Sequence, residues 1–587
     1  MNRWMRAAFL ASLCLVAAVA DGQNRPLERA ADRMDRLEEA RRAESGDRGE
    51  ARDDRSAATA PEADRTPLGV DVASIHLIPD QALATLSAAP GGDPVVVHPA
   101  VPAPETLPAT LAEYVGKPMS MALLAEIARE IVLAWRESDY PLVDVYYPEQ
   151  NITGGKLQIV VKEAVLGEKY VEGAVVSKEN YLLSQLRLHS GDRISRRVVE
   201  SDLDWLNRNP IRDVNVIYER GEGDGASDIR LDVTEVNSVT AYSGFANTGV
   251  DFTGEEEWSF GFQLFNPGGK EHTVGYHYAT DLEWDNLSAH SLFYEAFLPW
   301  RHSLSVFGAH VESESRGAAP IQTEGTSRQL SFEYEIPLER PRWNRRWRHS
   351  VSVAFDYKST NTDLIFGGTN FFGTEVEVGQ FRGEYEFRLD DKAGFTRGQI
   401  GIVGSPGGIF TNNDDASFNA ARFGSRADYS YVFGELERIH LLPSDFRLRF
   451  RMLAQSTTDR LAATEQLLAG GYRTVRGFDE SVVRGDGGVM TTLELISPAF
   501  SASPALKKAV NDRWNALLFY DAAALRTEGK VPGEVSPSIQ SLGVGLQCRF
   551  GDHGFARASY GWALQSHGLL PTDNDDGKFH FGVTMIY

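Results

Sequence analysis

From Ser238 to Tyr587 the sequence alternates apolar and polar side chains, with no run of helical periodicity. No other feature limits the possible folds so strongly. In "FRLRFRM", Phe446, Leu448, Phe450 and Met452 fall on one face and Arg447, Arg449 and Arg451 on the other. "FRGEYEFRL" sorts the same way, with Phe381, Gly383, Tyr385, Phe387 and Leu389 opposed to Arg382, Glu384, Glu386 and Arg388. A period of two is that of a strand with unlike faces. A soluble sandwich needs a second sheet to bury each apolar face, and a long segment without helices has nothing to cover its edges. A closed membrane barrel meets both needs, with apolar residues toward lipid and charged ones toward a wet lumen. The end of the chain agrees. In "KFHFGVTMIY", Phe579, Phe581, Val583, Met585 and Tyr587 share one face up to an aromatic terminus, where a soluble chain usually frays.

The formal net charge of -23 argues against a nucleic-acid partner, which needs a basic face to neutralise phosphates. The longest apolar run, Ala7 to Ala20, is too short for a spanning helix. It follows Arg3 and Arg6 and ends in Ala18-Val19-Ala20, so residues 1–20 are expected to be a secretory signal peptide; a buried N-terminal helix is the alternative. Cys14 lies inside that run. Cys548 is then the single cysteine of the mature chain, and no intramolecular disulfide forms. Residues 21–69 are dense in both charge signs. Within them "NRPLERAADRMDRLEEARRAESG" suits a helix capped by Asn24, started by Pro26 and stopped by Gly46. Its stripe of Leu27, Ala30, Met34 and Leu37 is narrow, and from the charges alone it reads as a solvated tail with some helix, running into a linker.

Residues 70–164 begin with strand-like "VDVASIHL" and a Pro/Ala-rich loop, "AAPGGDPVVVHPAVPAPE". A long amphipathic helix, "SMALLAEIAREIVLAWRE", follows, then two strands, "YPLVDVYYPEQ" and "GKLQIVVKEA", joined at "NITGG". Residues 165–236 repeat that order. "LGEKYVEG" reads as strand, "KENYLLSQL" and "SRRVVESDLDWLNRN" as helices, and "DVNVIYER" and "SDIRLDVTEV" as strands. Two such units in tandem are an internal repeat of a small module.

An exported chain with two tandem modules and a barrel over residues 237–587 resembles the outer-membrane transporters of bacterial two-partner secretion, the haemolysin activation/secretion (TpsB) family. The modules are similar to that family's POTRA domains. "YPLVDVYYPEQNITGGKLQIVVKEA" is the most specific segment, and "SDLDWLNRNPIRDVNV" matches a helix ending in Leu-Asn-x-x-Pro. The resemblance implies a membrane β-barrel of about 16 antiparallel strands, preceded by two α+β POTRA domains and an N-terminal helix with its linker. It implies a bacterial outer-membrane channel with its N-terminal domains in the periplasm. The substrate is then an unfolded exoprotein, bound by the POTRA domains and exported to the cell surface. Outer-membrane lipid, and the barrel-assembly machinery during biogenesis, are the further partners. The N-terminal helix corresponds to the family's plug helix.

The resemblance also gives meaning to "GGYRTVRGFDE", where Val475 and Phe478 bracket Arg476 and Gly477 with apolar surface. In the family the sixth extracellular loop folds into the barrel and carries a Val-Arg-Gly-Phe/Tyr tip. Its arginine faces an aspartate in a Phe-x-Asp-x-Gly strand. Here "FYDAA" supplies Phe519 and Asp521, while Ala523 replaces the glycine and leaves the packing around the pair open. As a bare string the tip is an ordinary turn, and an Arg–Asp pair serves structure or a conformational switch equally well. No G-x-S-x-G, H-E-x-x-H, P-loop or C-x-x-C occurs, and "NPGGKEH" lacks the leading glycine and Ser/Thr of a phosphate loop. The expectation is therefore a chain without catalytic residue, cofactor or metal. Two rival readings are an outer-membrane protein insertion factor, which commonly carries more modules, and a passive porin with accessory periplasmic domains.

Overall fold

A computed structural model describes residues 64–84, 92–223, 225–250, 253–314, 321–341, 343–344, 346–366, 369–551, 553–567 and 576–587. The expected signal peptide and plug helix, and most of the linker, lie outside the described residues. The chain divides into two compact units at the Val236–Asn237 junction.

The first module contains β1 (Ser74–Ile78), β2 (Val95–Val97), α1 (Leu107–Ala112), α2 (Met121–Glu137), β3 (Val143–Tyr146) and β4 (Lys156–Glu163). Its sheet runs β2-β1-β4-β3, with β1 parallel to both neighbours. Helix α2 starts where Ser120 Oγ accepts from Leu123 N at 3.2 Å, satisfying one of the free first-turn donors. Ile127, Ile131 and Trp135 recur every fourth residue, so they share one face, and they pack with Ile75, Leu77, Leu157 and Ile159. Each such side chain contributes roughly 1.5–3 kcal/mol by leaving water. Two elements correct the sequence reading. The stretch read as loop contributes β2 from its Val95–Val97 run, and α1 follows it, with Pro108 in its first turn. Flanking Pro and Gly hid a strand too short to alternate.

The second module is β5 (Val165–Glu172), α3 (Glu179–Ser184), α4 (Arg196–Leu206), β6 (Arg212–Arg220) and β7 (Ala226–Glu235), in sheet order β5-β7-β6. It repeats the first without a counterpart of β2.

In both modules a side-chain amide finishes a strand ladder. β3 pairs with β4 up to Tyr146 opposite Val160. Continued in register, Pro148 would face Gln158, and proline has no N–H to give. Gln150 substitutes: Gln158 N donates to its Oε1 and its Nε2 donates to Gln158 O, both at 2.7 Å. In the second module Val214 N donates to Asn207 Oδ1 at 2.6 Å, and Asn207 Nδ2 donates to Val214 O at 3.0 Å. These are the glutamine of the Pro-Glu-Gln turn and the asparagine of Leu-Asn-x-x-Pro, so both motifs acquire a physical reason.

The second unit is a closed barrel of sixteen antiparallel strands, from Val239–Ala246 to Lys578–Ile586. The last strand pairs with the first from Gly582↔Ala246 to Ile586↔Tyr242. Asn247 lengthens this seam: Phe581 N donates to its Oδ1 at 2.7 Å, and its Nδ2 donates to Phe579 O at 2.8 Å. The alternation sorts as expected. Phe381, Ile402, Phe579, Val583, Met585 and Tyr587 are exposed on the outer wall. On the inner wall Arg449 Nε donates to Glu437 at 2.6 Å and Arg451 Nε to Glu435 at 2.7 Å. Connections at the end where Val239 starts are mostly short, such as 392–393 and 442–446, with 497–511 the exception. Those at the other end reach 407–427 and 457–486. Short helices, Asp415–Ala421 and Pro504–Val510, occupy two connections in a region read as helix-free.

Candidate functional site

The connection 457–486 is the sixth at the end opposite the start of Val239–Ala246. Its arms, Leu467–Ala469 and Val483–Gly485, pair as an antiparallel ribbon. The tip between them lies against the inner wall. Val475 and Phe478 are buried and pack with Met490, Ala523, Leu525 and Ile539. The apolar brackets of the arginine thus have an apolar socket. Ala523 is one side of it, so the alanine in the family's glycine position packs against the tip instead of obstructing it.

Arg476 is held on every side. Its Nε and Nη2 donate to Asp521 Oδ2 and Oδ1 at 2.7 and 2.8 Å, a two-pronged pair, and its backbone N donates to Asp521 Oδ2 at 3.1 Å. Nη1 donates to Glu494 Oε1 at 2.6 Å. The guanidinium stacks 3.5 Å from the Phe519 ring centroid, a cation–π contact. Arg476, Asp521, Glu494 and Phe519 are all buried. The tip residues Val475 to Phe478 and the wall residues Phe519 and Asp521 therefore come together. Phe579 and Tyr587 stand apart from them on the outer wall.

Sequence reasoning missed three features. Glu494 is the second carboxylate, and it passes the arginine on: Arg449 Nη1 donates to its Oε2 at 3.4 Å, and Arg449 in turn binds Glu437, which also pairs with Arg397. Three arginines alternate with three carboxylates, leaving the chain of charges neutral. The second feature is a pair of glycines. Register places Phe519 opposite Gly543 and Gly543 opposite Gly561 on successive strands. A Cβ on Gly561 would lie 2.6 Å from Arg476 C and O, and one on Gly543 would lie 2.2 Å from the Phe519 ring. Isolated glycines inside strands mark close backbone approach, a signal present in the sequence. Gly477 has φ +102°, a conformation that side chains disfavour. The third is Lys578 Nζ, which donates to Asp479 at 2.5 Å and binds Glu255 at 3.0 Å, tying the tip to the last strand. Among the described residues no group of three His, Cys, Asp or Glu side chains could hold a metal ion.

A closed barrel with an apolar outer wall, an infolded loop and two preceding sheet modules defines a POTRA-and-barrel transporter of the outer membrane. The sequence profile of the haemolysin secretion/activation proteins (ShlB/FhaC/HecB) matches residues 225–547, and that of the ShlB-type POTRA domain matches residues 100–164. The chain belongs to this haemolysin secretion/activation family. It is 21% identical over 495 residues to the heme/hemopexin transporter protein HuxB of Haemophilus influenzae (strain 86-028NP), covering 81% of this chain and 82% of that one. To the outer membrane transporter CdiB-2 of Burkholderia pseudomallei (strain 1026b) it is 22% identical over 410 residues, 66% of each chain. The solved structure of CdiB from Escherichia coli superposes with a TM-score of 0.68 at 16% identity, covering 96% of this chain and 99% of that one. The protein is a two-partner secretion channel of the outer membrane, in a family whose POTRA domains sit in the periplasm.

Proposed function

We propose that the two modules, residues 70–164 and 165–236, take up an unfolded exoprotein at free strand edges and that the barrel, residues 237–587, passes it to the surface once the Arg476 tip leaves the wall. One observation carries this reading. The tip is fixed by a buried but neutral chain of alternating charges. Such a network specifies one docked arrangement, yet its groups regain hydration when water enters, so it adds little net stability. An apolar plug of the same size would be much harder to dislodge. The docked and free loop then differ by only a few kcal/mol, as a switching element requires. The contact boundary at Val236–Asn237 supports the division into modules and barrel. Outer-membrane lipid on the apolar wall, and the barrel-assembly machinery during biogenesis, complete the partners. The reading uses no catalytic residue and no cofactor; folding of the exoprotein outside supplies the direction.

The test compares the full chain with one lacking residues 70–236. The readouts are a heat-modifiable barrel in the outer membrane and, in the culture supernatant, the large exported proteins of the producing cell. The barrel is expected to persist and the supernatant to be empty. Secretion at the normal level would refute capture by the modules, and loss of other barrels from the membrane would point to an insertion factor instead.

A further inference from the structure

One sequence pattern occurs twice in the barrel. "WRHSLSV" runs from Trp300 to Val306 and "WRHSVSV" from Trp347 to Val353, each leading out of a connection at the end where Val239 starts. That is the periplasmic end, since the chain enters the barrel there from modules that lie in the periplasm in this family. Pattern and structure repeat together. Two positions beyond each histidine the next strand brings a tyrosine opposite, Tyr334 to Leu304 and Tyr385 to Val351. In the first copy Trp300 Nε1 donates to Tyr334 Oη at 2.8 Å, and His302 Nδ1 lies 2.6 Å from that oxygen. In the second, Trp347 Nε1 donates to Tyr385 Oη at 3.2 Å, with His349 Nδ1 at 3.1 Å. Both tyrosines share the outward parity of the exposed Phe332 and Phe381.

The copies differ at one atom. His349 Nε2 lies 3.1 Å from Glu339 O. A carbonyl only accepts, so in the neutral ring Nε2 carries the proton and Nδ1 accepts from the Tyr385 hydroxyl. The same order of partners gives His302 the same tautomer. Tyr334 takes the Trp300 N–H and gives its own proton to Nδ1, which leaves the His302 Nε2–H directed away from the tyrosine. No described residue accepts that proton. The reason is length. The connection before Trp347 is 339–346 and brings Glu339 back over its histidine. The one that holds Trp300 is only 298–302, closed by Leu298 N donating to His302 O at 2.8 Å. Beside the open donor stand Arg301 and Trp300, the latter 60% exposed.

We propose that Trp300, His302 and Tyr334 form a site for the phosphate of a glycerophospholipid in the periplasmic leaflet of the membrane. The place is the rim of a barrel, where aromatic side chains meet headgroups. His302 Nε2–H gives a phosphate oxygen the hydrogen bond that its counterpart gives to Glu339 O. Arg301 adds positive charge next to it, and the exposed Trp300 ring covers the glycerol and the first acyl carbons. Tyr334 is the positioning residue. It fixes both rings by accepting from one and donating to the other, and makes no contact with the phosphate. The second copy has its donor occupied and serves as a structural clamp.

The probe is phosphatidylglycerol, titrated onto the delipidated full chain in detergent and counted by native mass spectrometry. A diacylglycerol with the same acyl chains is the control without phosphate, and inorganic phosphate the control without a lipid. Phosphatidylglycerol is expected to bind at least about tenfold more tightly than the diacylglycerol, through hydrogen bonds to a charged oxygen, and inorganic phosphate should not displace it. His302→Phe keeps a ring and removes the donor, and should weaken phosphatidylglycerol by about tenfold. His302→Gln retains an N–H at that reach and should recover most of the loss. His349→Phe is the matched control: its donor already serves Glu339 O, so lipid binding should be unchanged. Heat-modifiability checks that each variant is a barrel. If His302→Phe is not, Tyr334→Phe, which frees both rings, takes its place and should weaken binding as well. Equal losses at His302 and His349, equal binding of the two lipids, or displacement by inorganic phosphate overturns the assignment. It rests on the barrel alone, so a failure of the secretory reading leaves it standing.

Discussion

Arg476→Ala is the perturbation whose cost follows most directly from the geometry. Asp521 accepts three hydrogen bonds from Arg476, at 3.1, 2.7 and 2.8 Å, and the alanine variant keeps only the backbone one. A carboxylate with 0% exposure is then left without its cation. Breaking a buried pair in this way costs about 3–5 kcal/mol, a shift of roughly two to four orders of magnitude in the ratio of docked to free loop. Arg476→Lys keeps a charge but loses the fork, so about 1.5–3 kcal/mol is expected. Asp521→Ala is milder than Arg476→Ala, because Arg476 retains Glu494 at 2.6 Å and the Phe519 ring. A reading that pairs Arg476 with Asp521 alone expects the two variants to match; Glu494 is why they differ. The double variant removes both ends of the pair while Arg449 still serves Glu494, so it should be no worse than Arg476→Ala.

The assay is single-channel conductance in a planar bilayer for the four members of this cycle, beside exoprotein in the supernatant and heat-modifiability as the check on insertion. Time in the high-conductance state should rise from wild type to Asp521→Ala to Arg476→Ala, with the double variant level with the last. Free energies that add to within about 0.5 kcal/mol would mean the residues act independently, and the latch would need another partner.

Gly561→Ala should free the tip with its charges intact, because the new Cβ would sit 2.6 Å from Arg476 backbone atoms; unchanged conductance would show that the wall yields there. Gly543→Ala should act through the Phe519 ring, 2.2 Å from its Cβ, and a fluorescence or crystallographic readout showing the ring unmoved would exclude it. In the second module Glu235 accepts backbone N–H bonds from Val175, Val176 and Ser177 at 2.7, 2.5 and 2.9 Å. Burial pushes its carboxyl up, but these bonds and the Ser177 hydroxyl hold it below the usual range. A depressed value gives stability that is present above the unfolded value of about 4.3 and lost as pH falls through the folded one. Hydrogen-exchange protection at residues 175–177 should therefore drop in acid, after correction for intrinsic rates, and Glu235→Gln should flatten that step.

The sequence exposes the fold and the site to different depths. The faces of "FRLRFRM" and "FRGEYEFRL" are legible because period two depends on the strand alone and not on how the barrel closes. The α2 face is legible for the same reason, Ile127, Ile131 and Trp135 being one helix stripe. β2 is not, since three residues cannot show a period and its pairing with β1 is long-range. The meeting of Arg476 with Asp521, 45 positions apart, came from a family motif and not from spacing. Nothing local marks Glu494 above the other inward carboxylates: what selects it is register, one strand away from Phe519. Gly543 and Gly561 could have been found as lone glycines in strands, but only register shows that they lie in one row beneath the tip.

Gln150, Asn207 and Asn247 share one physical logic. A carboxamide carries a donor and an acceptor side by side, as a backbone peptide does, so it can take a place in a ladder where the chain itself departs. The chain departs at Pro148, at the end of α4, and after Ala246. What differs is the consequence. At the barrel seam five register pairs and the Ala241–Tyr587 backbone bonds join the end of the chain to the first strand, and Asn247 adds to the closure. In the second module Asn207 does the reverse, taking one position out of an edge that is otherwise free to pair. The length of an edge is thus set by a side chain and can be changed without moving the backbone. Asn247→Ala should then loosen the barrel seam, read as a lower temperature of heat-modification, while Asn207→Ala should leave the barrel unchanged and speed hydrogen exchange at the Val214 amide.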